Sequence, residues 1–257
     1  TNGRAGEKAK TLDADGIVLD LEDSIAPDAK AAARDAAAAA VRAGGFGARE
    51  VCVRVNGLDT PWAEEDFAVA VAAAPDAIVV PKVSGPETLA RLGARMRELD
   101  AAPHIRIWAM IETPVGVLRA HDIAAMAENA ETRLAGLIVG TNDLVKEAMG
   151  RVVKGRAPLV PWLMQVLAAA RACGIGILDG VYNDFRDQEG FAAECTQGRD
   201  MGFDGKTLIH PGQIAPCNAA FTPDTAEITQ AHRIIAAFEM PENVGKGVVQ
   251  IDGAMVE

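Results

Sequence analysis

The sequence predicts an α/β protein built on a parallel sheet, with a TIM (β/α)8 barrel as the preferred fold. Apolar, β-prone segments alternate seven times with Ala-rich helical segments, a pattern typical of parallel sheets flanked by helices. The chain has 257 residues, 49% of them hydrophobic and only 4% aromatic, which indicates one large domain with an aliphatic core. An open doubly wound sheet is the alternative, although no G-x-G-x-x-G turn follows the first strand.

Strand and helix segments follow each other in order between residues 16 and 239. Short apolar runs such as EVCVRVN and AIVVPK predict strands at residues 16–23, 50–56, 77–82, 106–113, 134–139, 174–181 and 205–211. Longer Ala-rich or amphipathic stretches predict helices at residues 27–43, 62–74, 86–99, 117–129, 161–173, 189–201 and 226–239. The run contains no linker that would divide it into separate domains.

A closed barrel of this kind has eight strands, so the predicted set is one strand short. Residues 1–10 resemble the end of a loop followed by the start of a helix, and we therefore expect the first strand to lie upstream of Thr1. Residues 1–222 are then the barrel catalytic domain. Residues 223–257 are a C-terminal helix and lid segment beyond the barrel.

Composition excludes several classes of function and location. The formal net charge of −11 argues against a nucleic-acid-binding surface, which would need a basic face. No apolar run approaches the roughly 20 residues of a membrane span, and the polar N-terminal segment does not resemble a signal peptide. Four cysteines without C-x-x-C spacing indicate reduced thiols and a cytoplasmic protein.

One strand end stands out as the centre of the predicted active site. The apolar run from Ile107 delivers a single carboxylate, Glu112, just before Pro114 disfavours continuation of the same element. Active sites of βα barrels lie at the C-terminal ends of the strands, and an unpaired buried carboxylate is costly. The other strand ends supply more polar residues, namely Asp20, Glu22, Asp23, Arg54, Asn56, Lys82, Asp143, Asp179 and His210.

Glu112 and Asp143 are the predicted metal ligands. They follow neighbouring strands, so their carboxylates can reach one ion. Few hard oxygen ligands, with room for water and substrate, suit Mg²⁺ or Mn²⁺. The alternative is structural: Glu112 as a helix-start carboxylate and Asp143 as a cap before Leu144.

The strand ends around these acids are predicted to bind substrate. The planar fork of Arg54 suits a substrate carboxylate, and the alternative is an ion pair with Glu22 or Asp23. Asp20 and Glu22 share one strand face, so one of them can point into the site, and the alternative is a helix cap near Pro27.

The segment after the fifth predicted strand is a second candidate for substrate binding. Gly140 would let a substrate oxygen approach the backbone closely, and Thr141 and Asn142 follow it. Lys82 is either a Schiff-base lysine, as in class I aldolases, or a structural partner of Asp20 or Glu22.

Seven motifs occur in the same order as in a known family. They are LDLEDSIAP (19–27), VRVN (53–56), VPK (80–82), IETPVG (111–116), GTNDL (140–144), DGVYNDFRDQEGF (179–191) and GKTLIHPGQI (205–214). Together they resemble the citrate-lyase β-subunit-like branch of the HpcH/HpaI aldolase superfamily. The resemblance implies a TIM barrel that assembles as a homotrimer or hexamer and binds Mg²⁺ through Glu112 and Asp143, with Arg54 on the substrate carboxylate.

The same resemblance implies a reaction. Relatives cleave a 3-hydroxyacyl thioester of the malyl-CoA, citramalyl-CoA or citryl type into an acyl thioester and a keto acid. The C-terminal D-G-x-M motif matches residues 252–255, which makes Asp252 a candidate acid that acts on a neighbouring subunit. Arg54, Glu22 and Asp252 are therefore the expected catalytic residues.

Three alternatives to this function stay open at the level of sequence. The enzyme could be a metal-dependent pyruvate aldolase acting on hydroxy-keto acids, or it could hydrolyse the thioester after cleavage. It could also be a citrate-lyase-like subunit that needs an acyl carrier protein instead of CoA. The cations Lys146, Arg151, Lys154 and Arg156 could contact CoA phosphates, or lie in a solvated loop.

Overall fold

Seven parallel strands form a single curled sheet whose order in space is the order in the chain. The computed structural model describes residues 3–257. The strands are β1 (Gly16–Asp20), β2 (Glu50–Arg54), β3 (Ala77–Val80), β4 (Arg106–Ile111), β5 (Leu134–Val139), β6 (Gly176–Asp179) and β7 (Gly205–Lys206). Each pairs in parallel with the next, as predicted from the strand–helix alternation.

One helix precedes the first strand and others follow the strands, and several of them contribute buried residues to the core against the sheet. They are α1 (Gly3–Ala9), α2 (Lys30–Ala43), α3 (Ala63–Ala73), α4 (Pro86–Glu98), α5 (Pro114–Leu118), α6 (Ala120–Ala124), α7 (Thr141–Glu147), α8 (Val160–Ala172), α9 (Gln188–Met201), α10 (Ile214–Phe221) and α11 (Thr225–Glu239). Within residues 3–257, every helix is too short or too polar to span a lipid bilayer.

Side chains alternate between two cores because successive strand residues point to opposite faces. The larger core packs the outer face of the sheet against the helices and includes Val53, Ile107 and Ile177. The smaller core fills the concave face with Cys52, Ala77, Val79, Met110 and Ile138, together with the Trp108 ring. Strand residues that share a face with the smaller core therefore point into the barrel.

The two ends of the curled sheet approach each other without pairing. The Asn218 side chain, on α10, donates a hydrogen bond of 2.7 Å to the Asp13 carbonyl just before β1. Val18, on β1, is 45% exposed at this edge. This arrangement is consistent with a TIM-like fold, and the predicted strand upstream of Thr1 lies outside the described residues.

Several predicted elements have different bounds in the structure. The seventh strand, expected at 205–211, has only two residues, because the Gln213 side chain accepts from the backbone N–H groups of Ile209 and His210. The helix expected at 117–129 divides into α5 and α6 at Arg119 and ends in a 3₁₀ turn. The strand expected at 174–181 is limited to β6.

The C-terminal segment is a helix followed by a hairpin that the sequence did not reveal. A capping box starts α11, with Asp224 and Glu227 each accepting the other's backbone N–H. Strands β8 (Val249–Ile251) and β9 (Ala254–Val256) pair antiparallel around Asp252 and Gly253, both at positive φ. The predicted boundary between residues 222 and 223 stays a prediction.

Candidate active site

Arg54 is the basic centre of the first half of the site. It ends β2 on the same face as Cys52, so its guanidinium points into the barrel. Its Nε and Nη2 donate to the two carboxylate oxygens of Asp20 at 2.7 and 2.8 Å. Burial alone would raise the pKa of Asp20, but the hydrogen bonds and charge of Arg54 lower it to about 2. The alternative considered from sequence, an ion pair with Glu22 or Asp23, is also present at 2.7 and 3.6 Å, but the main partner of Arg54 is Asp20.

Glu22 is a second carboxylate beside Arg54, and it is poorly neutralised. Its Oε2 lies 2.7 Å from Arg54 Nη1, yet the geometry is not that of a hydrogen bond, and within the described chain this buried oxygen has no hydrogen-bond partner. Burial raises the pKa of Glu22 to about 7, with Asp23 and Asp20 adding to the rise and Arg54 opposing it. Such a carboxyl can hold or release a proton near neutral pH.

Glu112 lies at the end of β4, where sequence analysis placed it. It follows Met110 on the inner face, is 4% exposed, and accepts a 2.8 Å hydrogen bond on Oε1 from the Lys82 backbone N–H. Burial raises its pKa to about 7, and the nearby carboxylates of Glu22 and Asp143 add to the rise. Glu112 is therefore a buried acid whose negative charge Arg54 offsets only in part.

Gly140 makes room for Glu112. Register pairs Ile111 with Val139, so the next residues of β4 and β5 lie side by side. A Cβ on Gly140 would be 2.2 Å from Glu112 Oε2, a distance that real Cβ atoms do not show. The absence of a side chain on Gly140 thus accommodates Glu112, and the predicted contact of Gly140 with a substrate oxygen stays a prediction.

Asp143 and Lys82 complete the cluster. Asp143 lies in the first turn of α7, and its Oδ2 is 3.4 Å from Lys82 Nζ. Partial burial lowers the pKa of Lys82, but Asp143 outweighs this effect and the net pKa is raised. A Schiff base requires a neutral amine, so this environment disfavours the class I aldolase alternative. Lys82 pairs with Asp143, not with Asp20 or Glu22, the partners considered from sequence.

The donor set fits a hard divalent cation. Glu112 directly after β4 and Asp143 in the first turn of α7, just after β5, offer carboxylate oxygens. The positive charges nearby neutralise Glu112 and the adjacent Glu22 only in part. No cluster of three or more His, Cys, Asp or Glu side chains in residues 3–257 is arranged to hold a metal ion by itself. Mg²⁺ commonly uses one or two carboxylates and completes its shell with water and substrate, which matches this arrangement.

Comparison with known proteins decides the family. The HpcH/HpaI aldolase/citrate lyase family profile matches residues 2–211. The chain belongs to the HpcH/HpaI aldolase/citrate lyase family. The prediction made from the seven motifs is therefore confirmed, and the protein is an enzyme of a lyase family.

Curated proteins similar to this chain include enzymes of two kinds. A (3S)-malyl-CoA thioesterase of Cereibacter sphaeroides is 48% identical over 254 residues, which cover 99% of this chain and 85% of the relative. A citrate lyase subunit beta of Leuconostoc mesenteroides is 33% identical, with 95% of this chain and 81% of the relative covered.

Among solved structures, CitE from Mycobacterium tuberculosis, in complex with magnesium, acetoacetate and coenzyme A, is 29% identical. Its TM-score is 0.75 over 98% of this chain and 87% of that one. RipC from Yersinia pestis is 31% identical, with a TM-score of 0.72 over 85% of this chain and 94% of that one.

Within this family fold, two polar strand ends have structural roles. Asp179 shares a face with Ile177, so it points outward, where it is fully buried between Arg156 and Lys206 at 2.6 and 2.9 Å. Arg156 is thus engaged in a buried ion pair, which leaves Lys146, Arg151 and Lys154 as the cations of the predicted loop that could contact CoA phosphates. His210 caps the turn at Pro211 by accepting from the Gly212 N–H.

The remaining predicted site residues divide between the site and the periphery. Thr141 and Asn142 lie in α7 beside Asp143, and Asn142 exchanges two hydrogen bonds with Asn183 on the loop after β6. Asp252 lies on the exposed hairpin turn, where Arg233 of the same chain donates to it at 2.6 Å. The structure of one chain does not bring Asp252 to the other acids.

Lys30 and Asn56 are structural parts of the site whose contacts the sequence did not reveal. Lys30 is buried and donates to the carbonyls of Leu21 and Glu22 and to Asn56 Oδ1, at 2.7–2.8 Å. Lys30 therefore fixes the main chain that carries Glu22. An open cleft of about 290 Å³ adjoins these residues and is also lined by Trp62 and Lys82.

Proposed function

We propose that this protein is a Mg²⁺-dependent enzyme that hydrolyses a CoA thioester of the malyl-CoA type. The observation that carries the cation is the pair of buried acids, Glu22 and Glu112, that the neighbouring Arg54 and Lys82 leave incompletely neutralised. The thioester and its hydrolysis are supported by the 46–48% identity to (3S)-malyl-CoA thioesterases along 99% of the chain.

Each residue then has a defined task. Glu112 and Asp143 would hold Mg²⁺, which supplies a positive charge that polarises a bound substrate oxygen. Arg54 orients the free carboxylate of the acyl group, and Asp20 fixes the Arg54 fork. Glu22, with its pKa near 7, accepts the proton of the attacking water, and the α7 segment with Gly140, Thr141 and Asn142 lines the substrate.

A second candidate is carbon–carbon cleavage of the same thioester to an acyl thioester and a keto acid. The 33% identity to citrate lyase β subunits over 95% of the chain favours it. In that reaction Glu22 would take the hydroxyl proton, the carbon–carbon bond would break to a keto acid and a thioester enolate, and Asp252 of a neighbouring subunit would protonate the enolate to the acyl thioester.

A homo-oligomeric assembly is also part of the proposal. We infer a closed eight-stranded barrel in a cytoplasmic homotrimer or hexamer, with residues 223–257 packed on a neighbouring subunit. Exposed apolar side chains on this segment support the packing, namely Ile228, Ile235, Met240, Val244 and Met255. Light scattering of the purified chain tests it, and a monomer would contradict it.

Product analysis distinguishes the candidates. The enzyme is incubated with (3S)-malyl-CoA in Mg²⁺ or in EDTA, and malate, free CoA, acetyl-CoA and glyoxylate are quantified by mass spectrometry. Hydrolysis gives malate and CoA, whereas lyase chemistry gives acetyl-CoA and glyoxylate. Three results would refute the proposal. They are turnover of malyl thioesters of acyl carrier protein but not of CoA, turnover of 4-hydroxy-2-keto acids but not of malyl-CoA, and turnover of malyl-CoA that EDTA does not reduce.

A further inference from the structure

Lys82 contacts both of the predicted metal ligands. Its backbone N–H donates to Glu112 Oε1 at 2.8 Å, and its Nζ lies 3.4 Å from Asp143 Oδ2. We propose that Lys82 is a two-part positioning residue: its main chain orients Glu112, and its ammonium takes the cation's place beside Asp143 until the metal binds. This inference rests on the proposed divalent-cation site.

The main-chain part follows from an unusual backbone conformation. Lys82 has φ of +53°, in the left-handed region that residues other than glycine rarely adopt. In this conformation, directly after Pro81, the Lys82 N–H donates to Glu112 Oε1 while the Lys82 side chain reaches Asp143. The following segment is tied to the same strand end, because Ser84 Oγ lies 2.9 Å from Thr113 Oγ1. The Lys82 N–H thus orients Oε1 of Glu112.

The side-chain part follows from charge and exposure. Arg54 is engaged by Asp20 and Glu22, which leaves the Lys82 ammonium as the neighbouring cation for Asp143. The Lys82 side chain is 41% exposed and lines the open cleft, so it can leave Asp143 without disturbing packed groups. An incoming divalent cation repels the ammonium and competes with it for the same oxygen. Lys82 therefore stabilises the metal-free site and weakens the metal's affinity.

Isothermal titration with Mg²⁺ alone, without substrate, tests this competition. K82M keeps the backbone N–H but removes the charge, and it should bind Mg²⁺ about three- to tenfold more tightly, as expected for one charge at a partly exposed site. K82R retains a cation and should stay within about twofold of the wild type. If K82M does not fold, K82Q makes the same comparison.

Three results would overturn the inference or separate it from the proposed function. Unchanged or weaker Mg²⁺ binding by K82M, with binding by the wild type, refutes the role of Lys82 alone. Absence of Mg²⁺ binding by the wild type refutes the cation site itself. K82G should be at least as stable to urea as K82M, because glycine adopts positive φ without strain, and a clearly less stable K82G refutes the main-chain part.

Discussion

Replacing Gly140 with Ala tests the packing on which the Glu112 geometry depends. Gly140 has φ of −90°, which alanine also adopts, so the backbone adds no strain. The new Cβ would lie 2.2 Å from Glu112 Oε2 and 2.5 Å from Glu112 Cβ. Glu112 must move, which costs about 1–3 kcal/mol in overpacking and about 1–2 kcal/mol from its hydrogen bond to Lys82. We therefore expect G140A to lose about 2–5 kcal/mol in its free energy of unfolding.

Urea unfolding and Mg²⁺ titration measure the two consequences. G140A should unfold at lower urea and bind Mg²⁺ at least about tenfold more weakly, which corresponds to about 1.4 kcal/mol. G150A is the matched control, because its Cβ would make only ordinary contacts of 3.5–3.7 Å with Val145, and it should change stability by less than about 0.5 kcal/mol. If G140A behaves like G150A, the steric explanation for this glycine is wrong.

Three further predictions concern the ion pairs. R54M should lose about 3–5 kcal/mol in urea unfolding, because Asp20 and Glu22 would be left without their partner, and an equally stable R54M would contradict this. The pKa of Asp20 falls from 3.8 to about 2 on folding, so the ionised carboxylate stabilises the folded protein. D20N should therefore lower the free energy of unfolding by about 2 kcal/mol above pH 4, and this loss should disappear as the pH falls towards 2. A loss that does not depend on pH would refute this prediction. D179N should lose about 3–5 kcal/mol in its free energy of unfolding, because Asp179 neutralises Arg156 and Lys206. It should keep wild-type Mg²⁺ affinity, because this cluster lies outside the proposed cation site. Weaker Mg²⁺ binding by D179N would contradict that placement.

The sequence contains enough information to group most of the site residues. Parallel strands bring their carboxyl ends to one edge, so a list of polar strand ends already places Arg54, Glu112 and Asp143 near one another. The alternation of side chains along a strand also predicts which of them point inward. Arg54 lies two residues after Cys52, and Glu112 lies two residues after Met110. Both Cys52 and Met110 belong to the smaller core on the concave face of the sheet. The same rule applied to Asp179, two residues after Ile177, would have placed it outside the barrel.

Other features depend on geometry that a one-dimensional pattern does not carry. The role of Gly140 depends on the register between β4 and β5, which sets Glu112 beside it. The partner of Lys82 depends on a left-handed φ that nothing in the tripeptide VPK indicates. The shortness of β7 arises from the Gln213 side chain, which takes backbone N–H groups that a longer strand would use.

Calorimetric titration of Mg²⁺ into the wild type, E112Q and D143N addresses the cation site most directly. Both variants remove one negative charge with little change in side-chain volume, so they should fold like the wild type. We expect the wild type to bind one Mg²⁺ per chain and each variant to bind it at least about 100-fold more weakly. Wild-type affinity in both E112Q and D143N would contradict the account.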